Sequence, residues 1–343
     1  MLISEFDYEL PQELIAQEPA ERREDSRMLA VDRSSSTFKD RSFRDFPTYV
    51  RKGDLLVVNN TKVFPARLLG RTDTGASVEL FLVENVEENK WEALAKPAKR
   101  LKPGKTVDFG RGLTAEIAER ADAGRVFAEF RFEGDFFELL DEVGKTPLPP
   151  YIKREREGPD SDRSRYQTVY AKERGAIAAP TAGFHFTPDI ISKVKEIGAD
   201  IAEITLHVGY GTFEPVRVED VKEHRVQSER FEITGEASEL INRAMSDGRR
   251  LIAVGTTTTR ALETSVARHG RIVPGRQSAD LTIVPGYRFG AVDALLTNFH
   301  LPMSSLLVLV STFAGHSLIM EAYEHAVRER YRFYSYGDCM FVY

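Results

Sequence analysis

Three of the chain's seven histidines share one kind of setting. They lie in Ala178-Ala-Pro-Thr181-Ala-Gly183-Phe-His185-Phe, Ile204-Thr-Leu-His207-Val-Gly209-Tyr-Gly-Thr-Phe213 and Leu296-Thr-Asn298-Phe-His300-Leu-Pro302. Each segment predicts an imidazole at the end of a β-strand. Side chains at the carboxyl ends of neighbouring parallel strands converge on one crevice, where open α/β sheets bind ligands. His185, His207 and His300 are therefore expected to line one pocket. Imidazole is the side chain best suited to proton transfer near neutral pH. Any one of them taken alone would more simply satisfy a buried strand end; the set argues for acid–base chemistry. A metal centre is the weaker reading, because no tight pair such as His-x-x-x-His accompanies them.

A second feature is Gly255-Thr256-Thr257, where a predicted strand runs straight into a helix. Free N–H groups and hydroxyls at a helix N-terminus make an anion site for a carboxylate or phosphate. The spacing is not that of a P-loop, and simple capping is the alternative. Arg260 and Glu263 follow three apart on one helical face, where they can pair with each other. Lys96-Pro-Ala-Lys99-Arg100-Leu-Lys102-Pro-Gly-Lys105 holds five basic residues and no acidic one. Such a run is either a solvated face or a contact for phosphates, which position nucleic acid without reading it. Tyr331-Arg332-Phe333-Tyr334-Ser335-Tyr336-Gly337-Asp338 interleaves aromatics with a cation, a composition able to stack on an unpaired base or to form ordinary sheet.

The elements that must position these groups change character twice. Arg27–Val31 and Asp54–Val58 read as strands. Between about Arg67 and Lys145, short alternating runs at Val78–Val83, Trp91–Ala95, Thr106–Phe109, Leu113–Ile117 and Arg125–Phe132 are separated by Gly- or Asp-bearing turns, which predicts a small antiparallel barrel. After Pro147-Leu-Pro149-Pro150 helices and strands alternate. Helices are expected from Thr187 to Gly198, over 236–247, from Thr256, over Ser304–Phe313 and over Ile319–Arg330. Strands are expected at Ile201–His207, Arg250–Val254, Leu281–Val284, Ala291–Asn298 and Cys339–Tyr343. The fold class is α/β: a mixed, largely parallel sheet with helices, plus an inserted small antiparallel β-barrel domain. Residues 1–66 and 146–343 form the discontinuous α/β domain, and 67–145 the insert.

At 343 residues the chain is long enough for two cores. No apolar run is long enough to cross a membrane, and the N-terminus lacks a signal-peptide pattern. Cys339 is the only cysteine, so no intramolecular disulfide forms. These features point to the cytoplasm. A net charge of −6 argues against wholesale electrostatic binding of nucleic acid, but not against a local basic face.

A string of motifs then becomes specific: Asp7-Tyr8-Glu-Leu10-Pro11, Leu148-Pro-Pro-Tyr151-Ile152, Arg165-Tyr166-Gln167-Thr168-Val-Tyr170-Ala171, the three histidine segments, Gly211-Thr-Phe213 and Tyr331 through Asp338. In order and from end to end, the string resembles the S-adenosylmethionine:tRNA ribosyltransferase-isomerase family of queuosine biosynthesis. The resemblance implies transfer of the ribosyl part of S-adenosylmethionine to 7-aminomethyl-7-deazaguanine at the tRNA wobble position. Adenine and methionine leave, and epoxyqueuosine remains. It also implies a β-barrel inserted in an α/β domain, S-adenosylmethionine as co-substrate, tRNA as partner and no metal; a monomer without membrane contact is expected.

That chemistry needs a base for the ribose carbon beside the sulfonium, an acid for departing adenine and a neutral aminomethyl nitrogen. His185, His207 and His300 are the expected acid–base groups, with Asp338 or Glu229 to orient them. Thr181, Gly183, Gly209, Thr256, Thr257, Arg260, Glu263, Asn298 and Tyr336 are expected to bind substrate. Lys96, Lys99, Arg100 and Lys102 are expected to meet tRNA. Two positions depart from the family pattern. Gln227 stands where the family usually has a second histidine, and Met303 where it tends to have a cation. A tRNA-binding protein without activity, or a paralogue for another nucleoside or sulfonium substrate, is the alternative.

Overall fold

The computed structural model describes residues 1–154, 161–209 and 216–343; the Gly211–Phe213 motif falls outside them. After short 3-10 turns come β1 (Arg27–Asp32), β2 (Thr37–Ser42), β3 (Leu55–Asn59) and β4 (Thr61–Val63). Next are β5 (Arg67–Thr72), β6 (Ser77–Glu87), β7 (Lys90–Lys96), β8 (Thr106–Asp108), β9 (Thr114–Arg120) and β10 (Arg125–Arg131). Helices α1 (Phe136–Val143) and α2 (Ser161–Arg165) lead to β11 (Glu173–Ala176), α3 (Pro188–Glu196) and β12 (Asp200–Leu206). Then come β13 (Glu229–Ile233), α4 (Gly235–Ser246), β14 (Leu251–Val254), α5 (Thr256–His269) and β15 (Gly275–Ala279). The chain finishes with β16 (Ala294–Asn298), α6 (Ser305–Ala314), α7 (His316–Arg328) and β17 (Cys339–Val342).

Nine strands form one sheet in the order β15-β13-β12-β3-β14-β16-β17-β1-β2. The central strands β12, β3, β14 and β16 run parallel. Their near-continuous apolar sequences fit burial on both faces. Leu55 and Val57 enter one core, and Leu56 and Val58 enter the other. β17 pairs antiparallel with β16 and parallel with β1. The amino ends of β17 and β1 therefore share an edge with the carboxyl ends of the four central strands.

β5 to β10 close into a six-stranded barrel. Alternation along β6 buries Val78, Leu80 and Leu82 against Trp91, Ile117 and Val126 in a core of its own. The chain reaches the barrel through β4 and comes back through β11, and these two strands pair parallel. Among the described residues no single helix is long and apolar enough to span a membrane.

Two expectations about elements fail for local reasons. Leu281–Val284 is not a strand: its backbone lies over Arg260, which donates to Leu281 O at 3.4 Å. The edge strand forms instead at polar Gly275–Ala279, fixed by pairing with β13 rather than by propensity. His185 ends a 3-10 turn, Thr181–His185, that follows Pro180; it does not end a strand. A third correction concerns Glu263. Its carboxylate is fully buried in α5 and accepts N–H bonds from Gly290, Ala291 and Val292, each at 2.9 Å, and the Tyr287 hydroxyl at 2.8 Å. It does not pair with Arg260; its four bonds pin the loop that leads into β16.

That saturation makes Glu263 a stability residue. Glu263→Ala strands several buried donors at once and should cost about 3 kcal/mol or more. Urea unfolding of the two proteins measures it, and a loss below about 1 kcal/mol would contradict the assignment.

Candidate active site

At the shared sheet edge the backbone leaves each strand in turn. Gly255, at φ 97°, turns β14 directly into α5, and Asn298 ends β16. A hollow opens between them, lined by Thr181, Thr256, Thr257, Thr297, Asn298 and His300. Tyr151, Tyr166 and Tyr334 close another wall. Tyr334 holds φ 74°, uncommon for a residue with a side chain, and its ring meets Tyr151 edge-on at 4.0 Å between centroids. Asn298 anchors this wall, since its Nδ2 donates to Tyr334 O at 2.8 Å.

His300 is buried in the hollow, with Nε2 hydrogen-bonded to Thr297 Oγ1 at 2.9 Å. Its Nδ1 makes no hydrogen bond among the described residues. Burial alone pushes its pKa down to about 3. His185 is equally buried but belongs to a neighbouring crevice that also holds Arg23, Ser26 and Tyr336. Its Nδ1 meets Ser26 Oγ at 2.6 Å and its Nε2 faces Asn298 Oδ1 at 3.3 Å. Burial lowers its pKa to about 4; the Asn298 bond opposes the shift, and Arg23 and Arg332 add to it. His185 thus reaches the hollow through Asn298.

His207 does not join them. Side chains alternate along a strand; Val208 lines both the hollow and the cleft between sheet and barrel, whereas His207 lines the cleft and not the hollow. There Nδ1 bonds Thr61 Oγ1 at 2.8 Å, and the ring lies where a Cβ on Gly175 would come within 2.6 Å. Burial lowers its pKa, partly offset by Glu173 and Glu232. The single pocket expected for three histidines is therefore three hollows.

Other candidates also move. Arg260 is consumed by Glu229, Ala279 O at 2.7 Å and Gln227 O at 3.1 Å. Gly209 N donates to Glu229 Oε1 at 3.2 Å, beside Arg260. Asp338's oxygens accept from Arg27 N and Arg332 N at 2.8 Å rather than from a histidine; burial raises its pKa. Gly183 permits close packing, because a Cβ there would strike Thr168 Cγ2 at 2.6 Å. Tyr336 lies in the His185 crevice and donates to Asp162 at 3.1 Å. Gln227 sits exposed at the rim of two hollows, and Met303 is exposed with φ 51°. Lys96, Lys99, Arg100 and Lys102 are exposed at the end of β7 and in the turn after it, and none forms an ion pair among the described residues. Ser26, Thr61 and Thr297 are the partners that sequence reasoning missed. Ser26 is far from His185 in the chain and has no motif of its own. Thr297 lies inside a quoted motif, three residues before His300, and that spacing was the available signal. Among the described residues no group of three His, Cys, Asp or Glu side chains is placed to hold a metal ion.

The two buried imidazoles predict an acid-side stability profile. An unfolded histidine protonates near pH 6.5, whereas these resist until about 4 and about 3. Between those limits the unfolded chain binds more protons, so stability falls as pH drops from 6.5 and is unaffected by these groups above it. His185→Gln and His300→Gln should each reduce proton uptake on unfolding at about pH 5.5 by close to one. Unfolding titrations at several pH values measure this; unchanged uptake would mean that the imidazoles are not neutral.

Comparison with known proteins agrees with the motif string. A family model described as "Queuosine biosynthesis protein" matches residues 3–342. The S-adenosylmethionine:tRNA ribosyltransferase-isomerase of Natranaerobius thermophilus is 50% identical over 345 residues, covering 100% of this chain and 99% of that one. The protein of the same description from Symbiobacterium thermophilum is 50% identical over 344 residues and is covered in full. The crystal structure of the S-adenosylmethionine tRNA ribosyltransferase of Thermotoga maritima is 38% identical with a TM-score of 0.56, covering 99% of this chain and 100% of that one. With the match running from residue 3 to residue 342, this chain belongs to the queuosine biosynthesis family of S-adenosylmethionine:tRNA ribosyltransferase-isomerases.

Proposed function

We propose that this enzyme transfers and isomerises the ribosyl part of S-adenosylmethionine onto 7-aminomethyl-7-deazaguanine at the tRNA wobble position. The products are epoxyqueuosine-tRNA, adenine and methionine. The reaction takes place in the hollow at the β14–β16 edge. The observation that carries this placement is His300, a neutral buried imidazole with Nδ1 unengaged in a hollow at the carboxyl edge of the parallel strands.

His300 serves as the base. The sulfonium acidifies the adjacent ribose carbon, which offsets the low basicity that burial imposes. Thr297 holds the ring through Nε2 and leaves the other nitrogen for the proton. Once protonated, a desolvated imidazolium is a strong acid, so the same residue can pass the proton to departing adenine. His185 works one step removed: through Asn298 it fixes the Tyr334 wall. The basic turn after β7 meets tRNA phosphates.

His300→Gln should lower adenine release by about 10²–10⁴-fold while S-adenosylmethionine binding stays within a few-fold. Incubation with S-adenosylmethionine and precursor tRNA, followed by assay of free adenine, tests both the reaction and the residue. Turnover close to wild type would remove His300 from the role of base. A protein that binds tRNA but releases no adenine would overturn the reaction itself.

Replacing Lys96, Lys99, Arg100 and Lys102 with Ala should weaken tRNA binding and flatten its dependence on salt, by up to about one unit of slope for each phosphate no longer neutralised. S-adenosylmethionine binding should hold. Unchanged affinity and slope would leave the turn a solvated face.

A further inference from the structure

Four threonines open α5 in a row, and they do not behave alike. Thr258 Oγ1 donates to Val254 O at 2.8 Å and Thr259 Oγ1 to Gly255 O at 3.1 Å. Thr257 Oγ1 has no partner among the described residues, although the residue is only 8% exposed. It stands at the mouth of the helix, 3.6 Å from the point a Cβ on Gly255 would occupy, and Thr257 lines the His300 hollow. A buried hydroxyl without a partner is costly, and this one lies beside further unsatisfied donors. Around it are the first N–H groups of a 14-residue helix, which have no carbonyl to donate to and carry the positive end of the dipole.

We infer that this helix mouth seats the α-carboxylate of the methionyl group of S-adenosylmethionine, with Thr257 Oγ1 and the first-turn N–H groups as its donors. The assignment rests on the proposed function. It selects a carboxylate over a phosphate because, among the described residues, no Lys or Arg lines the hollow and Val208, Phe299 and Leu306 form apolar walls. A phosphate would keep strong, unneutralised charge there. The sulfonium nucleoside has one anionic group at neutral pH, and it is this carboxylate.

The test compares S-adenosylmethionine with its decarboxylated analogue on wild type, Thr257→Val and Thr258→Val, by calorimetry. Thr257→Val should weaken S-adenosylmethionine binding about tenfold and leave the analogue within about twofold. Thr258→Val should change neither ligand selectively, because its hydroxyl is already engaged. Thr257→Val should keep or raise the melting temperature of the free protein, since the hydroxyl has no partner to lose. Equal weakening of both ligands, or equal binding of both by wild type, would overturn the seat. Loss of tRNA affinity in place of S-adenosylmethionine affinity would show a phosphate site and overturn it as well. Carboxylate-dependent binding without adenine release would leave the seat standing and overturn the reaction.

Discussion

The antiparallel pairing of β17 with β16 is the constraint on which the site depends. It sets Asn298 opposite Cys339 and so brings the last residues of the chain to the carboxyl edge of the parallel strands. Were β17 parallel to its neighbour, residues 331–338 would enter from the far edge. As built, Asn298 can hold Tyr334 with one end of its amide and face His185 with the other. Asp338, immediately before β17, secures the backbone of Arg27 and Arg332 at the same edge. Both of its oxygens are thereby engaged by backbone N–H groups.

Desolvation is the second theme. The sheet edge is deep enough to strip water from His185 and His300, and charge is disfavoured there. Their hydrogen-bond partners are hydroxyls and an amide, not carboxylates. A carboxylate would have pulled the imidazoles toward the charged form. The neutral partners leave both rings uncharged, His300 with a nitrogen unengaged and His185 with both nitrogens engaged. Arg260, by contrast, is buried with Glu229 and three carbonyls around it, so its charge is spent inside the fold.

Much of this was legible in the sequence, and for physical reasons. Continuous apolar runs such as Leu55–Val58 and Leu251–Val254 announce strands buried on both faces, and alternation over Val78–Val83 announces the barrel. The Gly255–Thr257 turn, Asn298 and His300 reach one hollow because each sits at or just past the end of a parallel strand. What failed depended on orientation or distance. A strand's two faces differ by one residue, so Val208 lines the hollow and His207 does not, although the motif contains both. Glu263, midway along α5, has its carboxylate taken up by the loop before β16, and no pattern in its own helix announces that loop. Ser26 and Thr61 became partners of histidines only through sheet order, which no local pattern encodes.

The parallel pairing of β4 with β11 has an effect on how such a protein can vary. The chain leaves for the barrel and returns from it at two points zipped side by side, at Thr61–Val63 and Glu173–Ala176. Topologically the excursion is a handle with both feet on one plate. Lengthening or shortening the barrel's own loops leaves its base, where Arg67 pairs with Lys145, in place, so changes there need not disturb the strand ends that carry His300 and Asn298; Tyr151 and Tyr166, which follow the barrel, line the hollow and lack that freedom. The reach of the basic turn and the geometry of the chemistry can then drift independently, one by length polymorphism and the other by point substitution.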